Sequence, residues 1–411
     1  MAGHIQDRWY KTTTGPDGKP VKVKTERHGS GLRYRARYVG PDGTEKSKSF
    51  PDRQKRRADE WLAQTEADML RGQYVDPSSA RVTFQQYAER WIDGQTTDPT
   101  TRVAVETRLR LHAFPRLGPR PLGSFRPEHM RSFVRELEAA PMEGTYARSI
   151  YANVRAVLSA AVDDGYLARN PCSAASVRPP AVFAGRVVPW LPSQVQAVRD
   201  ALPPRYRALV DVGSGCGLRQ GEILGLALDA VSPDSETLHV VTQVKMIRGT
   251  AVFAPPKGGK ERDVPLPSSV ARALKRHSED HPPVAVELPW KTPDGPRVTR
   301  ELLFTNSAGG LVWRSNFNTH TWKPALAAAG MIPTPGKGDP YASAREHGMH
   351  ALRHFYASVL LDAGESIRAV SEYLGHSDPA MTLRVYAHLM PSSRERARRA
   401  IDGVFGTAQE P

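Results

Sequence analysis

Apolar and polar residues alternate strictly from Leu32 to Tyr38. Leu32, Tyr34, Ala36 and Tyr38 fall on one side, and Arg33, Arg35 and Arg37 on the other. A period of two is the mark of a half-buried strand. Pro16-Asp17-Gly18 and Pro41-Asp42-Gly43 are turn signals that bracket further short strand-like runs. From about Pro51 the period becomes helical, with Ala58, Trp61, Leu62 and Met69 forming one stripe. The first 75 residues therefore predict a small α+β domain, a three-stranded sheet with a helix packed behind it.

Residues 76–82 carry Asp, Pro and Ser in the manner of a linker, and the pattern that follows is helical throughout. Pro127 opens a helix with Met130, Phe133, Val134 and Leu137 at i, i+3, i+4, i+7. A second helix carries Tyr151, Val154, Leu158 and Ala161 and stops near Gly165. An all-α domain is expected over 82–178, ended by the linker Arg178-Pro179-Pro180. The region 185–405 reads as mixed and mainly helical around a small β-sheet. Its strand candidates are 238–242 and 262–266, and Pro- and Gly-rich loops are expected at 281–297 and 333–340. A short basic helix is expected at 394–401.

Composition narrows the function. The chain has 411 residues and a formal net charge of +14. That excess points to a polyanionic partner, nucleic acid first and an anionic membrane surface second. Cys172 and Cys216 are the only cysteines, which excludes a disulfide framework and a four-cysteine zinc site. No apolar run is long enough to span a membrane, and the first residues lack a signal-peptide pattern. A cytoplasmic, nucleoid-associated protein is expected. The basic surplus is five for residues 1–80, four for 81–180 and five thereafter, so every domain carries it. Arg33, Arg35 and Arg37 are either a solvated strand face or a sheet laid in a DNA groove.

Four segments of the last region carry candidate chemistry. Gly213-Ser-Gly-Cys-Gly-Leu-Arg219-Gln-Gly-Glu222 lacks the last glycine of a dinucleotide fingerprint and has no Walker lysine. It reads as a Gly-rich turn that delivers Arg219 and Glu222 one helical turn apart, as an ion pair or a site. Lys257-Gly258-Gly259-Lys260 reads as a hairpin turn holding Lys257 on a mobile arm. His350, Arg353 and His354 share a helix face, and the arginine among them disfavours a divalent metal. The fourth segment is Leu374-Gly-His376, with Thr382 and Tyr386 beyond it.

Arg219, Lys257, His350-x-x-Arg353, Leu-Gly-His376 and Tyr386, in that order, resemble the signature of the tyrosine recombinases, the phage integrase family. The layout is similar to that of actinobacterial-type integrases with an N-terminal arm-binding domain. The resemblance implies an arm-type DNA-binding domain at 1–75, a helical (SAM-like) core-binding domain at 82–178 and a catalytic domain at 185–405. Tyr386 would be the nucleophile and form a 3′-phosphotyrosyl link. Arg219 and Arg353 would clamp the phosphate, and Lys257 would protonate the departing 5′-oxygen. His350 would assist as general base, and His376 would hydrogen-bond a non-bridging oxygen. Glu222 and His354 would orient the arginines and the backbone.

These residue types suit phosphodiester opening with no metal, ATP or other cofactor. Guanidinium groups are planar, permanently charged donors for the oxygens on which negative charge builds. The partners implied are double-stranded attachment sites. The protein would be a monomer in solution and a homotetramer on synapsed DNA, with an excisionase or a DNA-bending host protein as further candidates. The expected function is integration or excision of a mobile element. The alternatives are a resolvase-type recombinase of the same family, a type IB topoisomerase, and a catalytically silent DNA-binding regulator of the same fold.

Overall fold

The alternation near the N-terminus becomes a strand whose buried face is Tyr34, Ala36 and Tyr38. The computed structural model describes residues 3–72, 74–76, 79–182, 188–232, 234, 236–376, 378–386, 398 and 401–402. The chain divides into two units, residues 1–183 and 184–411.

In the first unit, β1 (His4–Asp7), β4 (Tyr34–Val39) and β5 (Glu45–Phe50) form an antiparallel sheet in the order β1-β4-β5. The helix α1 (Lys55–Leu70) lays Ala58 and Leu62 on it, with Trp61 and Met69 alongside. Between β1 and β4 stands a separate hairpin, β2 (Tyr10–Thr14) with β3 (Pro20–Lys24), which adds to the three expected strands. Its turn is Pro16-Asp17-Gly18, where Gly18 takes a φ of 71° that other residues rarely adopt. Leu32 departs from the expected face: it precedes β4 and is 43% exposed. Arg33 also lies before the strand, where the Asp7 and Asp52 carboxylates hold its side chain.

The helical block comprises α2 (Phe84–Asp93), α3 (Pro99–Arg108), α4 (Phe114–Leu117), α5 (Pro127–Ala139) and α6 (Gly144–Asp163). A reciprocal cap between Thr83 and Gln86 starts α2. The two stripes read from the sequence are buried: Met130, Phe133, Val134 and Leu137 on α5, and Tyr151, Val154, Leu158 and Ala161 on α6. They share one core that is separate from that of the N-terminal sheet.

The second unit opens with α7 (Pro192–Ala201), α8 (Pro204–Cys216) and α9 (Gln220–Leu224). Next come β6 (Val231–Ser232), β7 (Thr237–Val240), β8 (Gln243–Ile247), β9 (Thr250–Ala254) and β10 (Arg262–Pro265). Then follow α10 (Ser268–Asp280), β11 (Val284–Pro289), β12 (Arg297–Leu302), α11 (Arg314–Phe317) and α12 (Lys323–Ala328). The described part closes with α13 (His350–Asp362), α14 (Ile367–Leu374) and α15 (Pro379–Tyr386). Both strand candidates of the sequence are present, and they pair with each other: β10 lies antiparallel to β7.

Three expectations are corrected here. Gly258-Gly259 does not close a hairpin: β9 pairs with β8 around Arg248-Gly249, and β10 belongs to another sheet. Both glycines still take positive φ, so the local turn chemistry is right while the strands it joins are not partners. The expected loop at 281–297 contains β11, which pairs with β12 across six residues. Pro282 and Pro283 precede β11, Pro289 ends it opposite Arg297, and Pro293, Gly295 and Pro296 sit in the connection. Finally, Gly213 and Gly215 lie inside α8, not in a turn. A Cβ on Gly213 would come within 2.8 Å of Leu352, and one on Gly215 within 2.4 Å of Val270, so these glycines let α13 and α10 approach α8. The helix expected at 394–401 falls outside the described residues except at Arg398 and Ile401.

Candidate active site

Arg219 is the residue that begins α9, and Gly217, in the left-handed region at φ 65°, ends α8 just before it. The α9 backbone runs close to β8: a Cβ at Gly221 or Gly225 would sit 2.9 Å from the Val244 backbone. Two glycines thus let the strand press against the helix that carries the first arginine. His350 and Arg353 lie on the first turn of α13. Trp322 fixes the entry to that helix, donating from Nε1 to the His347 carbonyl at 2.8 Å.

Glu222, 1% exposed, is the negative centre of the site. It accepts from the Arg219 backbone N–H at 2.9 Å and from Arg219 Nη1 at 2.9 Å. It also accepts from Arg262 Nη1 at 3.1 Å and Nη2 at 2.7 Å. Burial by itself would raise its pKa. Arg262, through hydrogen bonds and charge, and then Arg219 outweigh burial and bring it to about 2.

Arg262 is a site residue that the sequence reading missed, since on a strand it looked like one more basic residue. Three guanidinium groups converge on the carboxyl end of α14: Arg262 Nε donates to Tyr373 O at 2.7 Å, Arg353 Nη2 to Leu374 O, and Arg219 Nη2 to Gly375 O at 3.2 Å. Helix C-termini attract cations through their unpaired carbonyls. Arg353 also donates from Nη1 to Gly217 O at 2.8 Å. It is 1% exposed, and burial followed by repulsion from Arg219 lowers its pKa to about 9, which leaves it charged at neutral pH.

Tyr386 is 2% exposed, and its hydroxyl shares a 2.6 Å hydrogen bond with His354 Nδ1. His354 was expected to orient arginines and backbone; the structure sets it against the tyrosine. Burial raises Tyr386 to about 12, with Arg353 opposing. His350 stands edge-on to His354, ring centres 4.7 Å apart. Burial first, then Arg353, bring His354 to about 4. His350 is open to solvent on one side, so the crowding, His354 and the arginines that depress it act partly through water. His376 hydrogen-bonds Thr382 at 2.8 Å, and burial followed by Arg353 and Arg219 lowers it to about 4. All three imidazoles are neutral at pH 7.

Five of the six expected catalytic residues thus meet around Arg353. The sixth, Lys257, is exposed on the turn after β9 and makes no side-chain hydrogen bond among the described residues. Among the described residues no group of His, Cys, Asp or Glu could hold a metal ion, and no helix is long and apolar enough to cross a membrane. In the first unit, Arg33 is paired with Asp7 at 2.8 Å and Asp52 at 3.0 Å, and Arg37 with Glu45. Arg35 donates to Ser47 Oγ at 2.9 Å and forms no ion pair among the described residues, although its charge reaches Glu45.

Three buried or half-buried arginines beside a shielded tyrosine hydroxyl make a cationic site with a nucleophile at its edge, a set suited to phosphoryl transfer through tyrosine. Comparison with known proteins makes this specific. Residues 191–392 match the model of the phage integrase family, and residues 84–177 that of the phage integrase central domain. The chain belongs to the phage integrase family, the tyrosine recombinases. It is 28% identical to a XerC-like tyrosine recombinase of Caldanaerobacter subterraneus subsp. tengcongensis, over 60% of this chain and 62% of that one. It is 25% identical to the integrase of Mycobacterium phage D29, over 92% of this chain and 95% of that one. Its fold is similar to that of the Tn1549 transposon integrase bound to circular intermediate DNA, with a TM-score of 0.62 and 19% identity over 77% and 99% of the two chains. A lambda integrase tetramer on a Holliday junction gives 0.55 and 16% over 87% and 92%.

Proposed function

We propose that this chain is a site-specific DNA recombinase, an integrase that cuts and rejoins attachment-site DNA of a mobile element through a 3′-phosphotyrosyl intermediate. One observation carries the reading. Three guanidiniums, Arg219, Arg262 and Arg353, face one carboxylate, Glu222, while the three histidines are neutral. That leaves two positive charges in excess. A phosphodiester carries one negative charge, and the five-coordinate state formed on attack carries two on its non-bridging oxygens. The arginines and Glu222 by themselves therefore match the charge of the transition state and exceed that of the ground state, which is the electrostatic condition for lowering a barrier.

The roles follow. Tyr386 Oη attacks phosphorus and its proton leaves through the His354–His350 pair, of which His354 is in contact. Arg219 and Arg353 hold the non-bridging oxygens, with His376 beside them. Lys257, on its exposed turn, gives a proton to the 5′-oxygen as the P–O bond breaks. The link conserves the energy of the broken bond, so a 5′-hydroxyl of a partner duplex can reverse the step and exchange strands. This requires two duplexes, and the tetrameric lambda relative supports a homotetramer as the working form. Residues 1–75, 82–178 and 185–405 would act as arm-binding, core-binding and catalytic domains. An excisionase or a host bending protein would set direction.

A nicked suicide duplex spanning the element's own junction tests the reading. The wild type is expected to give an SDS-resistant protein–DNA adduct that Tyr386→Phe does not form; stable binding without any adduct would favour the silent regulator. The arginines of the first unit give a second expected result. Arg35→Ala should weaken binding to duplex from the element's ends at an unchanged melting temperature. Arg33→Ala should lower the melting temperature, because Asp7 and Asp52 lose their common partner. Equal loss of affinity from both, with no change in stability, would refute this division of roles.

A further inference from the structure

Gly375 and His376 close α14 in a Schellman motif: Gly375 N–H donates to Glu372 O at 2.8 Å and His376 N–H to Ser371 O at 2.9 Å. The Ser371 side chain runs to the same histidine by a second route. Ser371 Oγ lies 2.6 Å from Ile367 O and 2.7 Å from Thr382 Oγ1, and Thr382 Oγ1 lies 2.8 Å from His376 Nδ1. Ser371 and Thr382 are 2% and 1% exposed, so water does not compete for these bonds.

Counting protons sets the direction of the chain. A carbonyl has none to give, and two oxygens 2.6 Å apart with no hydrogen between them repel, so the single Ser371 proton points to Ile367 O. Ser371 then accepts from Thr382, whose one proton is thereby used. Thr382 has only lone pairs left for the ring, and the hydrogen between them must sit on His376 Nδ1. In the neutral ring Nε2 is bare.

We infer that Thr382 is a positioning residue that holds His376 as the Nδ1–H tautomer, so that Nε2 meets the scissile phosphate as a proton acceptor and grips a non-bridging oxygen only after taking one proton from solvent. What occupies the site rests on the recombinase reading; the tautomer belongs to the protein alone. Among the described residues, the charged and titratable groups around the ring are Arg353, His354 and His350 from α13, Arg219 and Glu222 at α9, Arg262 from β10 and Tyr386 from α15. Burial and the arginines hold the ring neutral in the free protein. A phosphate placed against the same arginines opposes their field, so DNA engagement favours proton uptake.

The test uses the full chain labelled with ¹⁵N-histidine, with His376 signals assigned by their loss in His376→Gln. Long-range ¹H–¹⁵N spectra of the DNA-free wild type and of Thr382→Ser are expected to show a protonated Nδ1 and a bare Nε2. Thr382→Val keeps the shape without the hydroxyl, and should move hydrogen to Nε2. In that variant an imidazolium would leave its Nδ1–H buried with no acceptor, so the ring would meet the oxygen only as a neutral donor. On the junction duplex, Thr382→Val should bind within about twofold of wild type but form the tyrosyl adduct about tenfold to a hundredfold more slowly. Thr382→Ser should stay within about threefold, so a Thr382→Val chain that fails to fold leaves the serine variant and the wild-type spectrum to decide. A wild-type ring protonated on Nε2, or a valine variant with unchanged tautomer and rate, overturns the inference. A wild type with the expected tautomer but no Tyr386-dependent adduct leaves the inference standing and removes the recombinase reading instead.

Discussion

Arg353→Lys is expected to slow strand cleavage by about a hundredfold to a thousandfold, the cost typical of removing one preorganised donor from a site where charge develops. Two features of Arg353 set the direction. Its fork reaches two carbonyls on different elements, Gly217 O from Nη1 and Leu374 O from Nη2. An ammonium group cannot span both and also present a planar face to phosphate. Charge is the second feature. Burial and the neighbouring arginine bring the guanidinium from 12.5 to about 9, and the same surroundings would push a lysine, which starts from a lower value, down toward its neutral form. Single-turnover formation of the tyrosyl adduct measures the effect, with duplex binding as the control. A lysine variant that cleaves within about threefold of wild type would show that this position needs neither the fork nor a full charge.

Glu222→Ala is expected to cost about 3–5 kcal/mol of stability, because it leaves Arg262 buried with no counter-charge. For a unit of this size, melting should fall by about 10 °C. Acid titration adds a sharper signature. Glu222 has its pKa lowered from 4.5 to about 2 in the folded state. A carboxylate lowered in this way contributes stability that is complete above the unfolded value and is lost as pH falls from 4.5 toward 2. The histidines act earlier. His354 and His376 are lowered from 6.5 to about 4, so the unfolded chain binds protons first and stability declines as pH falls from 6.5 toward 4. Glu222→Gln should remove the lower part of the acid profile and keep the upper part. An acid profile of unchanged shape in the glutamine variant would contradict the pairing with Arg262.

The periodic elements were legible where one face is buried against its own neighbourhood. The stripe on α5 matches the buried residues one for one, and the four residues read on α6 are all buried, together with Ala147, Ile150 and Val157, because helix period and burial are read from the same few turns. Reading failed where partner choice is non-local. Gly258-Gly259 makes a tight turn, yet which strand β10 joins is set by β7, which precedes that turn by a whole hairpin. In the same way β11 and β12 were hidden by the prolines between them, although each alternates along its length.

The site shows the same division. Order and residue type along the chain pointed to Arg219, Lys257, His350, Arg353, His376 and Tyr386 because together they resemble the tyrosine recombinase signature, although each segment alone read as ordinary structure. The pair of Arg219 with Glu222 was visible too, at one helical turn. Arg262 was not, since its partners lie 40 residues before it and 111 after it. Nor was the contact of His354 with Tyr386, made between two helices. The sequence by itself determined which chemical groups are available and which faces of the local elements are apolar. Tertiary structure alone decided which cations share a carboxylate, which hydroxyl is shielded and which ring nitrogen carries the hydrogen. Burial, counter-charge and hydrogen-bond direction are properties of neighbours in space, and a linear chain does not specify them until it folds.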